Sequence, residues 1–301
     1  MMNAEAMPVE NDTRTAPRCL DRVAIGRYVL GRRTPNGGYC FYRTPQWAVE
    51  EPNAPDTLAA LESLKMLDVD IPAPRQTGDW LRGLQDESGG YSTLTIGWAA
   101  LRALDVLTTE PKFSPDQWLR GRLDAFCGCA GPRDWRAAII DTVHLCELKR
   151  LRHKALRGPE RDSIAALLDA ARAADGGWAS PGADLETTAM GLRLARLVNP
   201  HRRPDPPLAT FLGRCEDELL GPRLAPGAGT TSVGALWGGL ALGHALHRRP
   251  RYLGAIERQL VLLQRPDGGL GARHRAIPAL QATWLGLEAV ALLDGLRKEQ
   301  A

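Results

Sequence analysis

An all-α fold, specifically an α/α toroid of six inner and six outer helices, is the architecture this sequence predicts. Two observations carry it. A glycine-rich turn recurs as Asn36-Gly-Gly-Tyr39, Ser88-Gly-Gly-Tyr91, Asp175-Gly-Gly-Trp178 and Asp267-Gly-Gly-Leu270. An apolar, small-residue helix follows each turn, and its anchors at 57, 97, 142, 188, 236 and 283 step by 40, 45, 46, 48 and 47 residues. A fixed period of this length marks a repeat architecture.

The inner helices come first. Thr57-Leu-Ala-Ala-Leu61 matches Thr188-Ala-Met-Gly-Leu192 and Thr283-Trp-Leu-Gly-Leu287. Gly97-Trp-Ala-Ala-Leu101, Thr142-Val-His-Leu-Cys146 and Leu236-Trp-Gly-Gly-Leu240 fill the other slots. These segments are poor in charge and are expected to be deeply buried. The outer helices precede the turns, at Gly78 to Gln85, Pro115 to Phe126, Arg161 to Ala174 and Tyr252 to Gln264. Their apolar residues recur three and four apart, as in Ile164, Leu167, Leu168 and Ala171, which gives an amphipathic face. Six equal units without polar caps at either end favour a closed ring over an open solenoid. Residues 20–297 then form one toroid domain, and 1–19 a polar tail expected to be disordered. Every inner helix starts at one mouth, where free N–H groups and the helix dipole suit an anion.

Composition narrows the function. The chain has 301 residues, 44% of them apolar, with 38 basic and 35 acidic residues for a net charge of +3. That balance excludes wholesale disorder and gives no reason to expect a nucleic-acid partner. No apolar run is long enough for a transmembrane helix and no signal core opens the chain. A cytoplasmic location is expected, with peripheral membrane contact left open. Six cysteines in a chain of this size do not make a disulfide framework, so reduced thiols are expected. Neither a P-loop nor a Rossmann phosphate loop occurs, and there is no Gly-x-Ser-x-Gly elbow.

Trp80-Leu-Arg-Gly-Leu-Gln85-Asp-Glu-Ser-Gly-Gly-Tyr91, and Leu260 to Leu270 with its Gln264 and Asp267-Gly-Gly, carry a resemblance. They resemble the Gln/aromatic-glycine repeat of the terpene cyclases and the protein prenyltransferase β subunits. The likeness spans roughly 20 to 297. In the transferase branch it implies zinc held by Asp-x-Cys at the fifth inner helix and by His at the sixth. Here those helices open Gly229-Thr-Thr-Ser-Val-Gly-Ala-Leu-Trp237 and Pro278-Ala-Leu-Gln-Ala-Thr283, which lack the ligands. Zinc is therefore not expected, and Mg²⁺ is the one cofactor left open.

The cyclase branch fits better. Asp184-Leu-Glu186-Thr187-Thr188-Ala189 looks like the Asp-x-Asp-Asp-Thr-Ala of class II cyclases, with Glu for the middle Asp and Thr187 for the last. The resemblance implies Glu186 as the acid that protonates an alkene or epoxide, with Asp184 and Thr187 beside it. A carboxyl serves so only if burial keeps it protonated. Capping of the helix start is the competing reading of these acidic residues. The implied reaction is cyclisation of a prenyl diphosphate or a prenylated molecule. The alternative is a non-catalytic or partner-dependent isoprenoid- or lipid-binding protein, because the large class II enzymes add a second helical domain. That domain would here come from a protein partner. A glycosidase is a third reading, requiring two facing carboxylates.

Other side chains carry paired readings. Tyr39, Tyr91 and Trp178 on the turns, and Trp98, Trp237 and Trp284 on inner helices, are candidate substrate-binding aromatics or ordinary packing. Arg273-His274-Arg275 is a candidate diphosphate site or a solvated loop. Cys127, Cys129, His144 and Cys146 are read as buried thiols rather than a metal set, since His144 and Cys146 point to opposite sides of one helix.

Overall fold

The computed structural model describes residues 19–41, 43–44, 49–128, 134–179, 182–200 and 206–298. Twelve helices run in chain order: α1 Arg22–Leu30, α2 Ala54–Leu67, α3 Pro74–Arg82, α4 Leu94–Val106, α5 Asp116–Cys127, α6 Trp135–Leu151, α7 Gly158–Ala170, α8 Leu185–Val198, α9 Pro206–Cys215, α10 Val233–Ala245, α11 Leu253–Leu263 and α12 Leu280–Lys298. The even-numbered helices pack as a closed parallel ring, α2 on α4, α4 on α6 and so on to α12, which returns to α2. The odd-numbered helices form the outer layer. Only two strand pairs occur among the described residues. They are antiparallel β1 Arg43–Thr44 with β2 Val49–Glu50, and β3 Glu216–Asp217 with β4 Gly221–Pro222.

The repeat determines how each inner helix starts. Asn53, Thr93, Asp184 and Ser232 stand four residues before the anchors at 57, 97, 188 and 236, and each side chain caps its helix by accepting a backbone N–H. The anchor threonines have a second task. Thr57, Thr188 and Thr283 hydroxyls each accept the backbone N–H of Tyr39, Trp178 or Leu270 at 3.0 Å, binding the turn to its helix.

The turns also dock successive repeats. Gly268 has φ +98°, and a Cβ there would lie 2.1 Å from the Ala24 carbonyl of α1, so only glycine permits the approach. The second glycine of each doublet abuts an aromatic of the next outer helix: Trp80, Trp118, Phe211 or Tyr28. Gln264 donates to the Asp21 carbonyl and accepts the Asp21 N–H, joining the last turn to the first helix and closing the ring. Gln85 makes the equivalent pair with Phe113. The third and fifth repeats have no glycine doublet, and in the fifth the β3–β4 hairpin takes its place. The core lies between the layers, where Leu58, Leu61, Leu104, Leu148 and Phe211 are fully buried.

The expected tail, 1–19, lies outside the described residues apart from Cys19. No disulfide joins Cys19, Cys40, Cys127, Cys146 and Cys215, and Cys129 lies outside the described residues. No helix among those described is long and apolar enough to cross a membrane.

Candidate functional site

The start of α8 brings Asp184, Glu186 and Thr187 together. Asp184 accepts the Thr187 N–H and the Thr187 hydroxyl, both at 2.8 Å. It is a helix cap, as its counterparts in three other repeats are. Glu186 has no such explanation. Two residues before the anchor, the other repeats carry Pro55, Thr95, Ile140, Gly234 and Gln281. The Glu186 carboxylate packs where a side chain at Gly234 of α10 would stand. It accepts a 2.9 Å bond from Arg136 of α6, whose guanidinium also lies 3.6 Å from Asp184. Burial pushes the Glu186 pKa up, Arg136 opposes that, and the Asp184 charge adds to it.

Five residues past each anchor the inner helices carry Glu62, Arg102, Glu147, Arg193, Ala241 and Glu288. Four of these pair between neighbouring inner helices. Arg102 donates to Glu62 at 2.6 Å and to Glu147 at 3.3 Å, and Arg193 pairs with the other Glu147 oxygen. Glu288 faces Ala241, which breaks the alternation of charge. It makes no ion pair among the described residues and accepts a hydrogen bond from Trp237, and burial raises its pKa. Trp98 donates to Glu147 at 2.8 Å and stacks on His144 at 3.9 Å. The Arg102 guanidinium sits 5.7 Å from the Trp98 ring centre and 5.8 Å from that of Trp284. Burial lowers the His144 pKa to about 4, with Glu147 opposing.

Three of the six candidate aromatics, Trp98, Trp237 and Trp284, thus converge on the lumen. The other three do not. Tyr39, Tyr91 and Trp178 are 0%, 3% and 1% exposed. Tyr91 packs edge-on against Trp118 of α5, and Trp178 donates to the Leu168 carbonyl of α7 while covering Gly191 of α8. The turn folds its aromatic inward between the layers, so these rings serve packing rather than the mouth. Arg273, His274 and Arg275 are exposed on the loop before α12, which is tied to the start of α10 by Val233 donating to the Ala272 carbonyl. They share the Glu186 mouth. His144 faces the lumen, whereas Cys146 is buried with its thiol pushed up to about 12. Among the described residues no group of three His, Cys, Asp or Glu is placed to share a metal ion.

The charged layer was not anticipated from the sequence. Its signal is the anchor spacing itself, carried five residues onward. Beyond this layer a cavity of about 610 Å³ opens at the C-terminal ends of the inner helices, lined by Ala189, Leu192, Arg193, Trp237 and Leu292 among others. It does not include Glu186.

No protein-family model matches this chain, and no curated protein is recognisably similar to it in sequence. Solved structures do match in fold. A variant of the type II terpene cyclase MstE from Scytonema, in complex with geranylgeranyl dihydroxybenzoate, aligns over 91% of this chain and 97% of its own, with TM-score 0.57 and 15% identity. The apo form of MstE gives 92%, 97%, 0.50 and 15%. A glycosidase in complex with glucose aligns over 95% and 99%, with TM-score 0.54 and 13% identity. This chain has the α/α-toroid fold that these enzymes share. Identities this low establish the fold alone.

Proposed function

We propose that this chain is an isoprenoid cyclase of class II type that works by protonation, with Glu186 as the acid. The observation that carries the reading is a carboxyl at the inner-helix mouth, packed against Gly234 and bonded by Arg136, at a register position where no other repeat has an acid; burial pushes its pKa up. In the first step the Glu186 O–H bond breaks and a C–H bond forms on a substrate alkene. The positive charge passes to the neighbouring carbon and Glu186 becomes a carboxylate. Arg136, 2.9 Å away, stabilises that carboxylate. Of the lumen aromatics, Trp237 is the candidate ring for the migrating charge, since Trp98 is stacked on His144 and Arg102 lies over both Trp98 and Trp284. Loss of a proton from the final cation to Glu186 restores the acid. Arg273 and Arg275, at the same mouth, are the candidate contacts for a diphosphate head. MstE, a terpene cyclase of this fold that the chain covers over 97% of its length, supports a single toroid as sufficient for the chemistry.

A second reading, a non-catalytic or partner-dependent isoprenoid-binding protein, is favoured by the Glu62–Arg102–Glu147–Arg193 layer. It runs along the lumen wall over the neighbouring helices α2, α4, α6 and α8 and takes up space that a folding polyene needs. Incubation in D₂O with a panel of prenyl diphosphates and prenylated benzoates separates the two. The cyclase reading expects an isomeric product carrying one solvent deuteron. Quantitative recovery of every substrate favours the binding protein, and hydrolysis of glycosides in the same panel favours a glycosidase.

A further inference from the structure

The mouth opposite Glu186 is built differently. Arg193 lies seven residues along α8 from Glu186, about 10 Å at the helical rise. From there to the helix ends the lumen widens into the 610 Å³ cavity, within the size range of small-molecule sites. An adjoining recess of about 440 Å³ shares Trp237, Ala241, His244 and Leu292 with it and extends to Met66, Ala291 and Gly295. The lining is segregated. Cations come from α6 and α8, as Arg150, Arg193 and Arg196. The opposite wall, from α10, α12 and α2, is apolar apart from His244 and Glu288.

Cations at helix C-termini ordinarily satisfy the dipole and the last carbonyls. Arg196 does so, donating to the Ala245 carbonyl at 2.6 Å. Arg150 does not. Its guanidinium has no hydrogen bond or ion pair among the described residues, and it lines the cavity. Arg193 is not at a helix end, and its side chain stays 46% exposed although it pairs with Glu147. Glu288, on the floor of the recess, accepts a hydrogen bond from Trp237, and burial raises its pKa.

We propose that this cavity binds an amphiphile with one anionic head and a linear apolar chain, at a site separate from the Glu186 mouth. The head lies among Arg150, Arg193 and Arg196. The chain runs past Ala241 and Leu292 toward Met66. Carboxylate and phosphate heads share this chemistry.

Calorimetric titration of the full chain with dodecanoate, dodecyl phosphate and dodecanol tests the site. Saturable one-to-one binding of at least one anion is expected, about tenfold or more tighter than dodecanol. The tighter of the two anions identifies the head. Arg150→Gln, at an exposed position, should weaken the anion about tenfold and leave dodecanol unchanged. Ala241→Phe should abolish binding of all three with helical content and Tm retained, whereas Glu186→Gln should leave binding intact. Equal affinity for dodecanol and the anions, no saturable binding of either anion, or full binding by a folded Ala241→Phe chain would overturn the proposal.

Discussion

His144 makes the stability of the ring depend on pH in a calculable way. The imidazole is 7% exposed, stacked on Trp98, and its Nδ1 has no partner. Four groups face it: Glu147, which favours its charged form, Arg102 and Arg193, which disfavour it, and the neutral Trp98 ring. Burial outweighs Glu147 and lowers the pKa from 6.5 to about 4. The folded chain therefore binds this proton more weakly than the unfolded chain. The stabilisation is complete above pH 6.5 and is lost as pH falls toward 4. At pH 5 the unfolded form is almost fully protonated at this site and the folded form barely so, a cost of about 2 kcal/mol. That corresponds to about 3 °C in Tm for a chain of 301 residues. Glu186, Glu288 and Asp56 have raised pKa values and act in the opposite direction, so the wild-type curve alone does not isolate His144. His144→Phe keeps an aromatic ring against Trp98 and cannot take a proton. Urea unfolding of both proteins between pH 7.5 and 5 should show the wild type losing about 2 kcal/mol more than the variant. Parallel curves, or an imidazole NMR midpoint near 6.5, would refute the burial argument.

Two further perturbations test the ring. Gly268→Ala forces a Cβ to within 2.1 Å of the Ala24 carbonyl at a positive φ, and should cost about 2–4 kcal/mol in urea unfolding. Gly121→Ala on α5, where nothing lies within 4 Å, should be neutral or stabilising by up to about 1 kcal/mol; equal losses at both sites would remove the docking role of the turn. Arg102→Met removes the cation shared by Glu62 and Glu147 and leaves Glu62 without an ion pair, while Glu147 keeps Arg193. With these side chains 11–25% exposed, a loss of about 2–4 kcal/mol is expected, partly recovered by adding Glu62→Gln. An unchanged denaturation midpoint for Arg102→Met would show that the layer contributes nothing to stability.

Legibility in the sequence followed the range of the forces involved. Glycine doublets, anchor threonines and cap residues act within one turn or one helix end, and each leaves a local signature. The period and the closed ring could therefore be read directly. Asp184 belongs to the same local chemistry: it caps α8 as Asn53, Thr93 and Ser232 cap their helices. For Tyr39, Tyr91 and Trp178 the sequence leaves lining and packing open, because a turn's sequence does not say which way its aromatic folds. That direction is decided by Gly191 and Gly97 on the next helix and by Trp118 and Leu168 outside. Glu62, Arg102, Glu147, Arg193 and Glu288 look in any one helix like isolated charges on an apolar segment. Only their common offset from six anchors, 40 to 48 residues apart, shows that they meet. The cavity at the far mouth is assembled from α2, α6, α8, α10 and α12, and no local pattern announces it.

The central claim is that Glu186 supplies the proton, and Glu186→Gln tests it most directly. Glutamine keeps the shape and the polarity beside Arg136 but removes the transferable proton. The Arg136 side chain is 46% exposed, so the lost ion pair should cost no more than about 1 kcal/mol, and Tm should barely move. Measured beside the wild type on whichever prenylated substrate the panel identifies, turnover should vanish in a variant that still melts cooperatively at the wild-type temperature. Full turnover by Glu186→Gln would place the acid elsewhere, and a loss of several kcal/mol in stability would mark Glu186 as a structural residue.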